Sequence, residues 1–489
     1  MPGLPRHRPC GSRRVTLLWR GLIHRVIAVG VNLPVISWGI SMFLRYISLA
    51  AATVVALMQP LAAEPVTHVQ LDNGLDVVVI EDRRAPVVVH MVWYRVGAAD
   101  EPPLQSGIAH FLEHLMFKGT DTLAPGEFSA IVEANGGRDN AFTSWDYTGY
   151  FQRVASDRLE LMMEMEADRM QNLAFTDTEW MPERDVILEE RGQVLESRVG
   201  AQFNEAMMAA LFKAHPYGTP IIGWRHEMET LDDDMAMAFY ERHYGPNNAI
   251  LIIAGDVDTE DAIALARKHY GPIPANENIA EVVRPSEPPH LAERRLVFED
   301  ARVGTPYVSR MYLVPPRRPG DASEAAALQM LASLLGGSSS TSVLERRLNF
   351  EEGIALSAWA GYNGMMRDYG MFSVGIAPVD GVSLEDAEAA MDRVIAEFLE
   401  DGVDPEQFER VRRQIRASEI FALDDTQGRA RQFGVGLSIG LSVEDVQGWI
   451  AALDAVTPED VILAGERLLD RRASVTGFLT TPQNAELSQ

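Results

Sequence analysis

One order of secondary-structure signals runs through this chain twice. Alternating apolar residues in "VTHVQLDNGLDVVVIEDRRAPVVVHMVWYRVG" predict strands, with an Asn-Gly turn at Asn73-Gly74. A helical stretch follows, then the strand-like "GGRDNAFTSWDYTGYFQRVA", then helices near residues 158–172 and 181–199, a helix around 235–243 and the strand "NAILIIAGDV". The second half gives strands in "RRLVFEDARVGTPYVSRMYLVPP", a helix in "DASEAAALQMLASLLGG" and strands in "GIALSAWAGYNGMMRDYGMFSVGIAP". Two long helices and a closing helix–strand pair at "SVTGFLTT" complete it. Self-similarity of this length means two diverged copies of one unit. The expected fold class is α+β: two homologous α/β rolls, each an antiparallel-rich sheet covered by helices, forming a clam-like pair. A Pro-, Asn- and Glu-rich linker over residues 275–289 divides the copies, giving domains of 64–280 and 281–489.

Chemistry concentrates in "SGIAHFLEHLMFKGT", from Ser106. Read as a helix, Ser106 caps the start and Gly119 suits the end. Ile108, Phe111, Leu112 and Leu115 form a core-facing stripe. His110 and His114 stand one turn apart on the adjacent face, so both imidazoles can grip one metal ion. Glu113 sits beside them. The order H-x-x-E-H is the reverse of the zincin H-E-x-x-H and is the inverzincin signature. No histidine follows His290, so the second copy cannot carry an equivalent site.

A catalytic zinc needs a third protein ligand and an open position. Cys10 is the only cysteine, so the ligand must be a histidine or a carboxylate. In "WMPERDVILEERGQVLESR", helical phase puts Val186, Ile187, Glu190 and Val194 on one stripe, with Glu183 on the same face and Glu189 turned toward solvent. Pro182 is expected in the helix's first turn. An inward carboxylate on an apolar stripe needs a partner or a metal, which selects Glu190 as ligand and Glu183 as support orienting a histidine. His215 in "HPYG" is the runner-up ligand.

Together "HFLEHLMFKGT", "GGRDNAFTSWDYTGYF", "ERDVILEE", "HPYGTPIIGW" and "FYERHYGPNNAILIIAGDV" resemble the pitrilysin-type zinc peptidases, above all the bacterial relatives of the mitochondrial processing peptidase. The resemblance implies one zinc on His110, His114 and Glu190, with Glu113 as the base in peptide-bond hydrolysis. It implies that an extended peptide adds to a sheet edge at "NAFTS", pairing with Asn140 and Ala141, with Phe142 lining a side-chain pocket. In related single-chain enzymes the second copy sends in an arginine and, seven residues on, a tyrosine to hold the substrate carbonyl. Here Arg347 matches the arginine, but Ile354 stands at the tyrosine position, leaving Tyr362 and Tyr369 as substitutes. The missing tyrosine points to a dimer, with a homologous zinc-free subunit supplying the donor.

A net charge of −27 argues against nucleic-acid binding and gives a bias toward basic peptides. Residues 1–25 are Arg-rich without an acid, and Met42 opens "MFLRYISLAAATVVALMQPLAAEP", which has the layout of a secretory signal. Residues 1–63 are therefore expected to be an over-extended start plus signal peptide, with a mature chain from about Glu64 in the periplasm or secreted. A membrane-anchored processing enzyme and a non-catalytic assembly subunit of the same fold are the alternatives.

Overall fold

The structure, a computed structural model, describes residues 66–279, 282–337 and 340–482. The expectations for residues 1–63 lie outside the described residues. Among those described, no helix is long and apolar enough to cross a membrane.

Strands β1 (Val66–Gln70), β2 (Asp76–Glu81), β3 (Val87–Tyr94), β4 (Arg138–Thr143), β5 (Thr148–Ala155) and β6 (Ala249–Gly255) form one sheet, in the order β1-β2-β6-β3-β5-β4. A second sheet contains β7 (Arg294–Glu299), β8 (Tyr307–Val314), β9 (Ala355–Asn363), β10 (Gly370–Pro378) and β11 (Ser474–Thr480), in the order β7-β11-β8-β10-β9. Without β1, the two orders match strand for strand. Each has one parallel pair, β2 with β6 and β7 with β11, and is otherwise antiparallel. The duplication in the sequence is thus a duplication of topology, and the fold is α+β as expected.

Six helices build the candidate site, its counterpart in the second half and the joint between the halves: α1 (Ile108–Leu115), α2 (Asp177–Arg191), α3 (Val199–Leu211), α4 (Ser323–Gly336), α5 (Pro405–Ala422) and α6 (Thr426–Ser438). Strands β3 and β6 are buried on both faces and, His90 apart, apolar on both, because both faces are covered. On one face Val79, Val92 and Leu251 pack with Phe111, Leu112 and Ile187 of the half's own helices. On the other, Val78, Met91, Trp93 and Ile252 pack with Ala430, Phe433 and Leu437 of α6, which comes from the second half. The exchange is reciprocal: Phe203, Met207 and Leu211 of α3 pack with Val475 and Leu479 of the second sheet.

A polar knot on the linker ties the halves together. Arg284, only 4% exposed, donates to Asp100 (2.9 and 3.0 Å) and Asp146 (2.5 Å) of the first half and to Asp368 (2.7 Å) of the second. Tyr217 donates to Asp146 at 2.7 Å, and His215 Nε2 lies 3.2 Å from Asp368. His215 is therefore buried in this junction and is no metal ligand, correcting the runner-up assignment.

Candidate metal centre

Helix α1 starts at Gly107 rather than on a Ser106 cap. Gly107 adopts φ +90°, and Ser106 Oγ instead accepts from the Trp224 N–H at 2.9 Å. The helix's first N–H groups are satisfied by Glu101, whose two carboxylate oxygens accept from Gly107 and Ala109 at 3.0 Å each. The apolar stripe lies in the core as expected, with Ile108, Phe111, Leu112 and Leu115 all fully buried.

Helix α2 brings the carboxylates. It begins earlier than expected, because Thr176 and Glu179 form a capping box, so Pro182 lies inside the helix and not in its first turn. The stripe read from helical phase is only partly right. Ile187 and Glu183 are buried, but Val186 is 47% exposed. Directly after Arg191 the helix widens into a π turn over Gly192–Glu196, which shifts the phase and turns Val194 toward a cavity instead of the core. Glu189 faces solvent as expected.

Donor atoms of His110, His114 and Glu190 lie within 4.8 Å of one another. Glu190 Oε2 is 3.7 Å from His110 Nε2 and 3.4 Å from His114 Nε2. Ligands about 2.0–2.1 Å from one tetrahedral zinc sit about 3.3 Å apart, so the spacing fits the ion. The tautomer fits too. His114 Nδ1 donates to Glu183 Oε1 at 2.8 Å, which directs the Nε2 lone pair at Glu190 and leaves two acceptors facing a point that calls for a cation. Lys118 holds the other oxygen of Glu183 at 2.5 Å. The His110 Nδ1 is buried without a hydrogen-bond partner, so packing alone holds that ring.

The electrostatics agree. Burial, and then the neighbouring His114, lower the pKa of His110 to about 4. For His114, burial works against the charged form, but the hydrogen bond to Glu183 and the adjacent Glu190 carboxylate outweigh it and push the pKa up to about 9, so positive charge is favoured there. The adjacent His114 imidazole in turn lowers the pKa of Glu190. Glu113 moves the other way: burial pushes its pKa up to about 7, against a hydrogen bond from Thr143 that favours the ionised form. That bond, Thr143 Oγ1 to Glu113 Oε2 at 2.5 Å, comes from edge strand β4.

His110, Glu113 and Glu190 open on a cavity of about 480 Å³. Its far wall comes from α3 and from Thr219–Ile222. Ala141 and Phe142 line it from β4, but the Phe142 ring packs on Trp93 (4.7 Å between centroids) beneath the Arg431 guanidinium. Asn140 is exposed on the same strand. Arg347 does not line the cavity. It donates to Glu397 at 2.6 Å and lies 3.4 Å from Glu351, so the clamp role expected of it has no support in this arrangement. Tyr362 and Tyr369 do not line it either: the Tyr362 hydroxyl donates to Pro315 O, and that of Tyr369 accepts from the Glu287 N–H. Sequence reading missed Thr143, Lys118 and the α3 wall. Lys118 could have been found, standing one further helical turn beyond His114. Thr143 and α3 had no local signal.

Two histidines, one carboxylate and a separate buried carboxyl are the donor set and base of a hydrolytic metal centre. The model of the insulinase family of peptidases, family M16, matches residues 76–224, and that of the M16 inactive domain matches residues 230–415. An uncharacterised zinc protease of Mycobacterium leprae is 31% identical over 400 residues, 79% of this chain and 86% of that protein. Zinc protease PqqE of Helicobacter pylori is 32% identical over 310 residues, 62% of this chain and 68% of that protein. A crystal structure of a protease from Helicobacter pylori superposes with a TM-score of 0.78 at 25% identity, covering 85% of this chain and 99% of that one. Pitrilysin shares the fold, with a TM-score of 0.69 at 16% identity, but 87% of this chain spans only 45% of pitrilysin. The chain belongs to peptidase family M16. Its relatives are zinc proteases, and zinc is the metal they imply for His110, His114 and Glu190.

Proposed function

We propose that the protein is a zinc-dependent endopeptidase acting on extended peptides or unfolded segments. Glu113 carries this reading. It is outside the ligand set, one of its oxygens is fixed by Thr143, and it opens on the same cavity as His110 and Glu190. Zinc at His110, His114 and Glu190 would lower the pKa of water and polarise the peptide carbonyl. Glu113 takes the proton of the attacking water and passes it to the leaving amine, and a pKa near neutrality suits both transfers. Glu183 keeps His114 in the tautomer that presents Nε2. Strand β4 ends its sheet, so its outer main-chain groups can accept a peptide as a further strand along Asn140 and Ala141. The Ala141 N–H, bonded to Asn140 Oδ1 at 2.9 Å, would exchange that partner for a substrate carbonyl. The test is a set of unstructured peptides offered to wild type and Glu113→Gln. Cleavage by wild type alone, with equal zinc in both, is expected; equal cleavage removes Glu113 from the role.

Arg347, Tyr362 and Tyr369 are not among the described residues that line the cavity, and pitrilysin is about twice the length of this chain. Both observations support a dimer with a homologous zinc-free subunit that supplies the missing donor. Size-exclusion chromatography with activity assays tests it, and a fully active monomer refutes it. A periplasmic or secreted location, after cleavage near Glu64, belongs to the same reading and is checked by mass spectrometry of the mature N-terminus.

A further inference from the structure

One cavity is lined by cations in a chain that carries 70 acidic against 43 basic residues. It measures about 320 Å³ and lies where the first half, the linker and the second half meet. Its polar lining is Arg95, His243 and Asn248 from the first half and Arg367 and Ser438 from the second; the rest of the described wall is aliphatic or glycine. The metal cavity and the cavities beside Asp100, Asp321 and Asp82 all contain carboxylates. Among the described residues, no carboxylate lines this one, and it shares no residue with the metal cavity.

Its donors are unspent. Asp76 accepts from Arg95 Nη2 at 2.6 Å, which leaves Arg95 Nε and Nη1 without a partner among the described residues. Arg367 is anchored by its backbone, whose N–H donates to Asp146 at 3.1 Å, while its guanidinium makes no hydrogen bond or ion pair among the described residues. The His243 ring, 5% exposed, has no hydrogen-bond partner either. Ser438 Oγ is buried and unpartnered, and the flanking Leu437 and Ile439 hold it there by packing in the core over the first sheet. A buried hydroxyl without a partner costs free energy unless something fills the site. The carbonyls at the end of α6 do not oppose an anion, because the N–H groups of Ile439, Gly440 and Leu441 close on Val435, Leu437 and Gly436. The first-half donors are set in advance: the Arg95 N–H donates to Asn248 O at 2.9 Å, and Asn248 Nδ2 to His243 O at 2.9 Å.

We propose that this cavity binds a phosphate group, as the free ion or on a small phosphorylated molecule, and that the bound group bridges the two halves. Two guanidinium groups supply charge and paired donors, and the imidazole, the hydroxyl and the amide add further ones. A carboxylate, with two oxygens, cannot use that many donors; a tetrahedral phosphate can. The volume falls in the range of small-molecule pockets, which leaves room for a substituent on the phosphate. Because Arg95 and Ser438 meet only in the folded chain, the ligand binds the folded state and stabilises it by mass action.

The test is calorimetric titration of the zinc-loaded protein with inorganic phosphate, with glucose 6-phosphate and, at matched ionic strength, with chloride. Saturable binding with a Kd of about 1 mM or tighter is expected for at least one phosphate compound and none for chloride. The tighter of the two phosphates tells the free ion from the ester as occupant. Arg367→Gln and Ser438→Ala should each weaken binding about tenfold or more, since each removes a hydrogen bond to a charged group. Both should fold, because neither side chain has a protein partner; without phosphate, Ser438→Ala should unfold at or above the wild-type temperature. No saturable phosphate binding, an equal response to chloride, or binding that either variant keeps at full strength, as phosphate held by the zinc would be, overturns the proposal.

Discussion

Helices α1 and α4 occupy the same place in two copies of one topology, yet only one can do chemistry. Helix α1 places His110, Glu113 and His114 on the face that meets α2, where Glu183 and Glu190 wait. Helix α4 buries Ala326, Leu328, Leu331, Leu334 and Leu335, and Glu324 is its only ionisable residue. Against it α5 offers Gln407, whose amide donates to Leu334 O (3.4 Å) and Thr341 O (3.0 Å). The first helix pair is joined through ionisable groups that need a cation, the second through apolar packing and one neutral amide. Between α1 and α2 the charged groups have a candidate metal site to serve; the second half lacks that cluster at the matching helix pair, keeps the scaffold and reaches across with α6 to cover the first sheet.

The largest expected effect comes from the ligands. His110→Ala, His114→Ala or Glu190→Gln should abolish both zinc binding, one ion per chain in wild type, and peptide cleavage, as read by elemental analysis beside an activity assay. Retained stoichiometric zinc in Glu190→Gln would break the contrast between the halves at its root. Next comes Glu113→Gln, which should keep its zinc while turnover falls about 10² to 10⁴-fold. Glu183→Gln tests the carboxylate behind the ligand: zinc affinity, measured by chelator competition, should fall about 10- to 100-fold. Its counterpart is Gln407→Leu, which removes the amide donor to the buried Leu334 carbonyl and should cost about 1–3 kcal/mol in denaturant unfolding with zinc content unchanged. If that variant lost zinc, the second half would be part of the metal site after all.

The smallest effect concerns the junction. Arg284 and His215 bring the Asp368 pKa down to about 2, against the opposing effect of burial. A carboxylate depressed in the folded state stabilises fully above its unfolded value, about 3.9, and loses that contribution as pH falls through the folded one. Wild type should therefore lose stability between about pH 4 and pH 2, and Asp368→Asn should flatten that part of the curve. Identical acid limbs would remove Asp368 from the tie between the halves.

The sequence by itself determined whatever repeats at short range. The one-turn spacing of His110 and His114, the core stripe from Ile108 to Leu115 and the Asn73-Gly74 turn follow from helix and strand patterns within a few residues, and the absence of histidine after His290 is read directly. Glu190 lay at the limit of that method. Its identity as a ligand agrees with the cluster, but the phase argument failed at Val186, and the π turn that places Val194 has no local signal. Only the tertiary structure decided the rest: that His215 belongs to the Arg284 junction, that Arg347 is spent on Glu397, that Thr143 fixes Glu113, and that α3 and α6 change halves. Each of these joins residues far apart in the chain through contacts that depend on how sheets and helices meet. Local periodicity says which face of an element is apolar; it carries no information about which distant element will cover that face.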